Sequence, residues 1–375
     1  MKILLVVTGL PSASEPARSA FNATYANELT NKDDLTIVYL RSMHPKRWFI
    51  RNTQLNKIDV VELSLFLPFI PLYKQITFFT LLLNLVLAVK RFNVDVIQGM
   101  GGETAIAAYS IAKKLKKPYF LHYIGGDLNV SIKYFFPKKM YRTSVKNCTF
   151  NGFESKALEV IFDTYFKDIK NKSVIYRGIK IEEYAYHFEY SNVINLLFLG
   201  GMPANTNEKG GFTLLDSIRA LDKKELGVKL RFHIGGPEIP DISELVKSIS
   251  NRNIEVIAIG AISKAKVKEY MAQSHIVLIP SEAEGLPNVM WEAMATGNMV
   301  IASAVGGIPE IINTPDLGIL IAPNSSRELT HAIINAAAEP QKIENYALHG
   351  RKKVESFNYT SFIDNYNTLF KNALS

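Results

Sequence analysis

Two stretches of this chain repeat one order of elements, and that order constrains the fold more than any other feature. Lys2–Leu29 passes from an apolar segment through a loop containing Gly9 to a helical pattern. Ile194–Leu221 does the same through Gly200 and Gly201. A strand, a glycine-containing loop and a helix form the opening of a doubly wound α/β sheet. We therefore predict two such sheets, one in each half of the chain.

Further apolar segments predict buried parallel strands that alternate with helices. They are Leu35–Leu40, Val94–Gln98, Tyr119–Tyr123, Lys229–Ile234, Ile254–Ala258, His275–Ile279 and Met299–Ala302. The length of 375 residues also favours two domains over one core. We predict α/β domains at residues 1–188 and 189–356, and a C-terminal helix at 357–375 with either domain as its packing surface, the first being our candidate.

The composition indicates a globular protein, with 47% hydrophobic and 21% charged residues. A single cysteine, Cys148, excludes an internal disulfide and favours a reducing compartment. The apolar run at Ile3–Val7 is too short for a signal peptide and is broken by Thr8–Pro11. We predict a cytoplasmic protein.

The formal charge of +8 is concentrated in the N-terminal half, where segments 44–51 and 133–142 mix cations with aromatic residues. Segments 63–73 and 76–89 are strongly apolar, but Pro68, Pro71 and Lys74 interrupt the roughly 20 apolar residues that a spanning helix needs. Two interpretations stay open: this half rests on an anionic membrane surface at the inner face of the cell membrane, or it holds a buried helix and solvated lysines. No nucleic-acid-binding motif accompanies the charge.

Two glutamates, Glu284 and Glu292, stand eight positions apart in segment 280–297. The first follows an apolar strand in a polar loop. The second lies in a short helix that Pro287 opens and Gly297 closes. Backbone N–H groups and a carboxylate around one crevice suit a ligand with phosphate and hydroxyl groups. The alternative is one helix-capping acid and one exposed surface acid.

These features resemble the retaining GT-B glycosyltransferases of the family numbered four. The resemblance lies in the E-x7-E pair Glu284 and Glu292, the run Gly285–Pro287 and the downstream segment Val305–Glu310. It is dense from about residue 194 to 325 and diffuse before that. It implies a GT-B fold, with two doubly wound Rossmann-like domains that face a central cleft. The second domain would bind a nucleotide sugar and the first domain the acceptor.

The resemblance also implies roles for individual residues. Glu284 would contact sugar hydroxyls, Glu292 the ribose, and Lys209 the diphosphate. The implied donor-binding residues are Gly200, Gly201, Lys209, Gly210, Gly235, Gly260, Ala261, Ile262, Glu284, Gly285, Leu286, Pro287 and Glu292. Relatives usually carry an arginine just after the first donor strand, where this chain has Met202. Either Lys209 acts with helix-terminal amides alone, or a cation from elsewhere compensates.

In the first half, His122 and Asp127 are candidates to face the transferred sugar. His122 is equally interpreted as a structural histidine at a strand end, and Asp127 as a helix N-cap. Gly9 would let the acceptor or a phosphate approach the first loop, or would only form a tight turn. With Glu284 and Lys209, His122 and Asp127 complete the predicted catalytic set.

The implied reaction moves a sugar from a nucleoside-diphosphate sugar, with UDP-sugars among the candidates, to a glycan or lipid-linked glycan of a surface polysaccharide. We predict no separate cofactor and no metal, because the chain has no Asp-x-Asp motif and its histidines lack zinc spacing. Two alternatives stay open. They are a GT-B nucleotide-sugar epimerase or hydrolase, and a non-catalytic sugar-nucleotide-binding protein.

Overall fold

A computed structural model of the chain describes residues 1–10, 20–30, 32–41, 49–64, 93–129, 138–189, 192–202, 206–236 and 242–375. The chain forms two compact units. The first comprises Met1–Tyr176 and Phe362–Ser375, and the second comprises Arg177–Ser361. The predicted domain boundary at residue 188 lies inside the second unit.

The first unit is built on an eight-stranded sheet in the order β3-β4-β2-β1-β5-β6-β7-β8. Its strands are β1 (Lys2–Val7), β2 (Asp34–Arg41), β3 (Phe49–Leu55), β4 (Ile58–Ser64), β5 (Val96–Met100), β6 (Tyr119–Tyr123), β7 (Phe150–Phe153) and β8 (Lys172–Val174). Apart from the exposed Lys2 at the start of β1, the central strands β1, β5 and β6 are buried along their length, as expected for a parallel sheet covered on both faces.

One strand of this sheet, β3, is antiparallel to its neighbour β4, whereas the sequence predicted parallel strands only. The two strands are joined by a two-residue turn in which Asn56 and Lys57 have positive φ values of 49° and 71°. Such turns match the twist of a hairpin but usually contain glycine. Because the pair Asn-Lys lacks that signal, the hairpin was missed.

The described helices of the first unit are α1 (Ala20–Thr30), α2 (Ala105–Leu115), α3 (Gly126–Asn129), α4 (Lys138–Lys146) and α5 (Lys156–Tyr165), together with a 3₁₀ turn at Gly102–Thr104. The last helix of the chain, α13 (Tyr359–Leu374), also packs on this sheet. Its buried rings lie against strand and helix residues, with centroid separations of 4.8 Å for Phe370 and Phe120 and 5.4 Å for Phe362 and Tyr25.

The second unit is built on a parallel six-stranded sheet in the order β11-β10-β9-β12-β13-β14. Its strands are β9 (Val193–Leu199), β10 (Lys229–Gly235), β11 (Ile254–Gly260), β12 (Ile276–Ile279), β13 (Met299–Ser303) and β14 (Ile319–Ile321). Its described helices are α6 (Gly211–Asp222), α7 (Ser243–Ser248), α8 (Lys264–Ala272), α9 (Asn288–Thr296), α10 (Ile308–Ile311), α11 (Ser326–Ala338) and α12 (Pro340–Glu355). A 3₁₀ turn lies at Ile181–Glu183.

The prediction of two doubly wound α/β sheets is confirmed. Every strand predicted from the sequence is present, with ends that differ by at most two residues. The cationic segments 44–51 and 133–142 and the apolar segments 63–73 and 76–89 lie partly or wholly outside the described residues. In the part of the chain that the structure describes, no helix is both long enough and apolar enough to cross a membrane.

Candidate active site

Two loops of the second unit meet where the order of strands reverses. Strand β9 lies between β10 and β12, so the chain leaves β9 toward one side of the sheet and returns at β12 on the other. The carboxyl ends of strands at such a switch point form the usual crevice for ligands in open α/β sheets. Lys209 lies in the loop after β9, and Glu284 lies in the loop after β12.

The side chains of Lys209 and Glu284 form an ion pair across this switch point. Lys209 Nζ donates to both carboxylate oxygens of Glu284, at 2.9 and 3.1 Å. The hydroxyl of Ser281 also donates to Glu284 Oε1, at 2.8 Å. The Glu284 side chain is only 10% exposed, whereas that of Lys209 is 40% exposed. The carboxylate is therefore held in place, while the ammonium keeps access to solvent.

Close backbone contacts position both loops. Gly210 has a φ of 75°, and a Cβ there would lie 1.9 Å from the carbonyl oxygen of Pro280. A Cβ on Gly306, whose φ is 55°, would lie 2.0 Å from the carbonyl oxygen of Glu284. The N–H of Gly307 donates to the carbonyl of Gly285 at 2.7 Å. Glycine is thus required on each side of the Glu284 loop for the backbones to approach so closely.

The helix α6 begins directly after Lys209 and Gly210, so its amino end points at the same crevice. Asn207 Oδ1 accepts a hydrogen bond of 2.9 Å from the N–H of Phe212, in the first turn of this helix. The partial positive charge at a helix N-terminus favours an anion such as a phosphate. Lys209 and the first turn of α6 thus present positive charge from one loop.

The Met202 side chain packs in the core of the second unit. Its side chain is 2% exposed and belongs to the hydrophobic core of the second unit. It packs under α6, so that a Cβ on Gly211 would lie 2.4 Å from Met202 Cγ. An arginine at position 202 would have to leave this core to reach the crevice. That Met202 stands in the place of a diphosphate-binding cation stays a prediction.

Glu292 lies on α9, which Pro287 and Gly297 cap as the sequence predicted. The hydroxyl of Tyr184 donates to Glu292 Oε1 at 3.0 Å. Burial raises the pKa of the Glu292 carboxyl, and this effect is opposed by the Tyr184 hydrogen bond and by the charges of Lys264, Arg177 and Lys268. Glu292 is therefore a half-buried acceptor and not the exposed surface acid of the alternative interpretation.

The other predicted donor-site residues fall on the same carboxyl edge of the sheet. Gly200 N–H donates to the Gly235 carbonyl and Gly236 N–H to the Gly260 carbonyl, both at 2.9 Å. Gly260 has a φ of 64°, and a Cβ there would meet nothing within 4 Å. Gly201 and Ile262 are half-buried, and Ala261 is exposed. The Leu286 carbonyl accepts a hydrogen bond of 3.3 Å from the buried Arg177.

In the first unit, His122 has structural partners. It is fully buried, its Nδ1 forms a hydrogen bond of 2.6 Å with the Tyr366 hydroxyl, and its Nε2 lies 3.7 Å from Glu154 Oε1. The ring of Phe362 packs edge-on at 5.4 Å. In this arrangement the imidazole contacts helix α13 and has no exposed surface, so its predicted contact with a sugar has no support here and stays a prediction.

Asp127 and Gly9 also have protein partners in this unit. The buried Asp127 carboxylate accepts hydrogen bonds from the backbone N–H groups of Gly102, Gly125 and Leu128 at 2.7–3.0 Å and of Ile124 at 3.3 Å. It thereby joins the loop after β5 to the loop after β6. The carbonyl of Gly9 accepts a hydrogen bond of 2.8 Å from Asn22 on α1.

Glu103 lies in the loop after β5, at the carboxyl edge of the first sheet, and was not among the site residues predicted from the sequence. It follows Gly101 and Gly102 after β5, so the pattern of a strand followed by a glycine-containing loop could have identified it. Its Oε1 accepts a hydrogen bond of 2.8 Å from the Thr8 hydroxyl. Glu103 is an exposed residue overall, but desolvation of its carboxyl group and the nearby Asp127 carboxylate raise the pKa of that carboxyl to about 7.

We expect Glu103→Gln to stabilise the protein in a pH-dependent way. Protonation of Glu103 favours the folded state, so its contribution is complete below about pH 4.5 and is lost as the pH rises through about 7. The difference in unfolding free energy between the variant and the wild type should therefore rise between these pH values. Urea titrations from pH 4 to 8.5 measure it, with Glu225→Gln, an exposed glutamate of the second unit, as the control. A difference in unfolding free energy that does not change with pH would contradict the raised pKa of Glu103.

The second unit also carries the clearest similarity to known proteins. A family model described as glycosyl transferases group 1 matches residues 194–339, which include Lys209, Glu284 and Glu292. Residues 194–339 of this chain are therefore similar to the group 1 glycosyl transferases. The residues that the model matches run from β9 to just past the end of α11, and so contain the whole switch-point crevice.

Individual relatives align with this chain over different lengths. N-acetyl-alpha-D-glucosaminyl L-malate synthase of Bacillus anthracis is 31% identical over 162 residues, which is 42% of each chain. The match therefore spans less than half of that relative. TuaC of Bacillus subtilis, named as a teichuronic acid biosynthesis glycosyltransferase, is 24% identical over 372 residues, or 89% of this chain and 88% of its own.

Among solved structures, HepE of Anabaena in complex with UDP superposes with a TM-score of 0.73 over 99% of this chain and 100% of its own, at 18% identity. Together with the two sheets described above, this likeness confirms the predicted GT-B fold. In the described residues, no group of three or more histidine, cysteine, aspartate or glutamate side chains is arranged to hold a metal ion.

Proposed function

We propose that this chain transfers a sugar, with retention at the anomeric carbon, from a nucleoside-diphosphate sugar to a glycan or lipid-linked glycan. The observation that carries the proposal is the contact of 2.9 Å between Lys209 and Glu284 at the switch point of the second sheet. One cation and one buried carboxylate in a single crevice are the groups that a diphosphate and sugar hydroxyls require.

The donor would bind through an exchange of partners. The Lys209 ammonium is partly exposed and is carried on a flexible side chain, so it moves to the diphosphate with little rearrangement. The diphosphate also faces the amino end of α6. Glu284 stays held by Ser281 and accepts hydrogen bonds from sugar hydroxyls in place of those from Lys209. Glu292 accepts from the ribose.

The chemistry then depends on stabilising the leaving group. The bond between the anomeric carbon and the diphosphate oxygen breaks, and the acceptor hydroxyl oxygen bonds to that carbon on the same face. The acceptor proton passes to the departing diphosphate, so no separate base is needed. Charge builds on the leaving oxygens in the transition state, where Lys209 and the α6 amides act on it directly. We propose that these groups replace a metal ion in that role.

The acceptor proposal draws on two supports. TuaC, which aligns with most of this chain, is named for the biosynthesis of a surface polysaccharide. The sequence also places cationic and aromatic residues in the first half, which suits a lipid-linked acceptor at the cytoplasmic face of the membrane. Sedimentation with vesicles that contain or lack anionic lipid tests the second support, and no binding at low salt would contradict it.

The experiment for the transfer itself uses labelled nucleotide sugars. A thermal-shift panel of UDP-, GDP- and ADP-sugars first identifies the donor, since a ligand that binds only the native state raises the melting temperature. The selected donor is then incubated with lipid-extracted and water-soluble glycan fractions. We expect transfer by the wild type and its loss in Glu284→Gln, with the melting temperature of that variant nearly unchanged. Release of free sugar or an epimer without transfer would instead support a hydrolase or epimerase.

A further inference from the structure

The segment that leads into β9 is fastened along helix α9 by several independent contacts. We call residues 184–187 the strap. The N–H of His187 donates to the carbonyl of Thr296 at 3.0 Å, near the end of α9. The ring of Tyr186 lies against Gly297, where a Cβ would come within 2.6 Å of it. The strap therefore follows the last turn of the helix that carries Glu292.

Arg351 of α12 ties the strap and α9 together a second time. Its Nη1 donates to the carbonyl of Tyr184 at 2.7 Å and also to the carbonyl of Ala295. Cations at the end of a helix are favoured by its dipole. One guanidinium thus holds the backbone of Tyr184 beside the C-terminal turn of α9, and this sets the direction from which the tyrosine side chain reaches Glu292.

The Tyr184 side chain, and not only its backbone, is held by a neighbouring residue. Lys268 on α8 lies over the ring, with Nζ 4.5 Å from the centroid. The same ammonium pairs with Glu183 at 3.0 Å. Burial and the neighbouring Glu292 carboxylate raise the pKa of the Tyr184 hydroxyl, so it keeps its proton. Its hydrogen bond of 3.0 Å to Glu292 Oε1 is therefore always donated toward the carboxylate.

From this arrangement we infer that Tyr184 is a positioning residue for donor binding: its hydroxyl holds Glu292 Oε1 so that the carboxylate is oriented to accept from ribose hydroxyls. The inference rests on the proposed function, in which Glu292 contacts the ribose. Tyr184 touches no donor atom in this account and acts only through Glu292. The strap, Arg351 and Lys268 fix the tyrosine in turn.

The same hydrogen bond has an electrostatic consequence. Burial raises the pKa of Glu292, and the groups that oppose it are the Tyr184 hydroxyl on the strap, Lys264 and Lys268 on α8, and Arg177 at the start of the unit. Removal of the Tyr184 hydroxyl takes away one of the interactions that lower the pKa of Glu292, while the effect of burial remains. The pKa of Glu292 therefore rises further. Because a protonated carboxyl loses acceptor capacity, nucleotide binding should then weaken at a higher pH than in the wild type.

Tyr184→Phe tests this inference, with UDP as the probe and GDP and ADP measured alongside it. One of these nucleotides is expected to bind to the wild type. For that nucleotide, we expect Tyr184→Phe to raise the dissociation constant about tenfold near pH 7.5, which is a typical effect of one hydrogen bond to a charged group. Calorimetry from pH 5 to 8.5 should place the acidic loss of binding at higher pH in the variant. The preference for the ribonucleotide over its 2′- and 3′-deoxy forms should shrink.

Two further variants separate positioning from general damage. Tyr346→Phe on α12 removes the hydroxyl of a tyrosine that packs on the core of the second unit and is not among the groups that shift the pKa of Glu292, so it should leave binding, its pH profile and the deoxynucleotide preference unchanged. In a Glu292→Gln background, Tyr184→Phe should add less than twofold, because the carboxylate it positions is gone. A full additional tenfold loss there, or an unchanged pH profile in Tyr184→Phe alone, would overturn the inference.

The outcomes also separate this inference from the proposed function. If the wild type binds a ribonucleotide better than its deoxy forms but Tyr184→Phe binds it equally well at every pH, the positioning role is wrong and the donor site stands. If the wild type binds none of the three nucleotides, the donor site itself is wrong, and the role of Tyr184 is wrong with it.

Discussion

Replacement of Lys209 by methionine is expected to lower the rate of sugar transfer by about 10²- to 10³-fold, the usual effect of removing one group that stabilises transition-state charge. Methionine keeps the length of the side chain and removes its charge. Since Lys209 is the partner of Glu284 in the crevice and Met202 is buried in the core, no cation at position 202 compensates. Turnover of the labelled donor measures the loss.

The matched control is Lys209→Arg, which keeps a cation at the same place. We expect it to retain at least a tenth of the wild-type rate, with a melting temperature within a few degrees. Lys209→Met and Glu284→Gln should also show non-additive losses, because the two side chains are in direct contact. A methionine variant that turns over within threefold of the wild type would show that leaving-group charge is stabilised elsewhere.

Replacement of Gly210 by alanine is expected to give the largest loss of stability among single methyl additions at this site. A Cβ at position 210 would lie 1.9 Å from the Pro280 carbonyl oxygen and 2.4 Å from its carbonyl carbon, so two backbone segments would have to separate. The left-handed φ of 75° adds strain. Summing about 1–3 kcal/mol for the strained backbone and about 1–3 kcal/mol for overpacking gives a loss of about 2–6 kcal/mol.

Two other glycines divide this loss into its causes. Gly260→Ala adds a methyl group in open space at a φ of 64°, so it reports the cost of the left-handed backbone alone. Gly227→Ala adds one in open space without a positive φ, and should be close to neutral. Urea unfolding of the three variants should rank them Gly210, Gly260, Gly227 in order of destabilisation. Equal losses of unfolding free energy in Gly210→Ala and Gly260→Ala would show that the loops around Pro280 can move apart without a loss of stability.

Much of the fold follows from local patterns in the chain. The strands β1 and β6 have the predicted bounds, and α9 begins after Pro287 and ends before Gly297 as predicted. These features depend on apolar runs and on backbone preferences of proline and glycine that act within a few residues. The contact between Lys209 and Glu284 could not be predicted from local patterns, and the resemblance to GT-B glycosyltransferases is what pointed to both residues.

Other features were decided by residues far apart in the chain. The hydrogen bond between His122 and Tyr366, 244 positions away, is a contact that no local pattern predicts. Tyr184 carried no signal at all, since it acts only where it meets Glu292, 108 positions later. Glu103 gained its raised pKa from burial and from Asp127 on a neighbouring loop.

By itself, then, the sequence determined the two doubly wound α/β sheets and the helix between Pro287 and Gly297. Periodicity and turn residues report on local structure, and that is enough for these assignments. The resemblance to a known family pointed to Lys209, Glu284 and Glu292 as donor-site candidates. The tertiary structure alone decided that Met202 is core, that His122 packs under the last helix, and that Tyr184 holds Glu292. Burial and hydrogen bonding arise only when distant segments meet, so no local pattern encodes them.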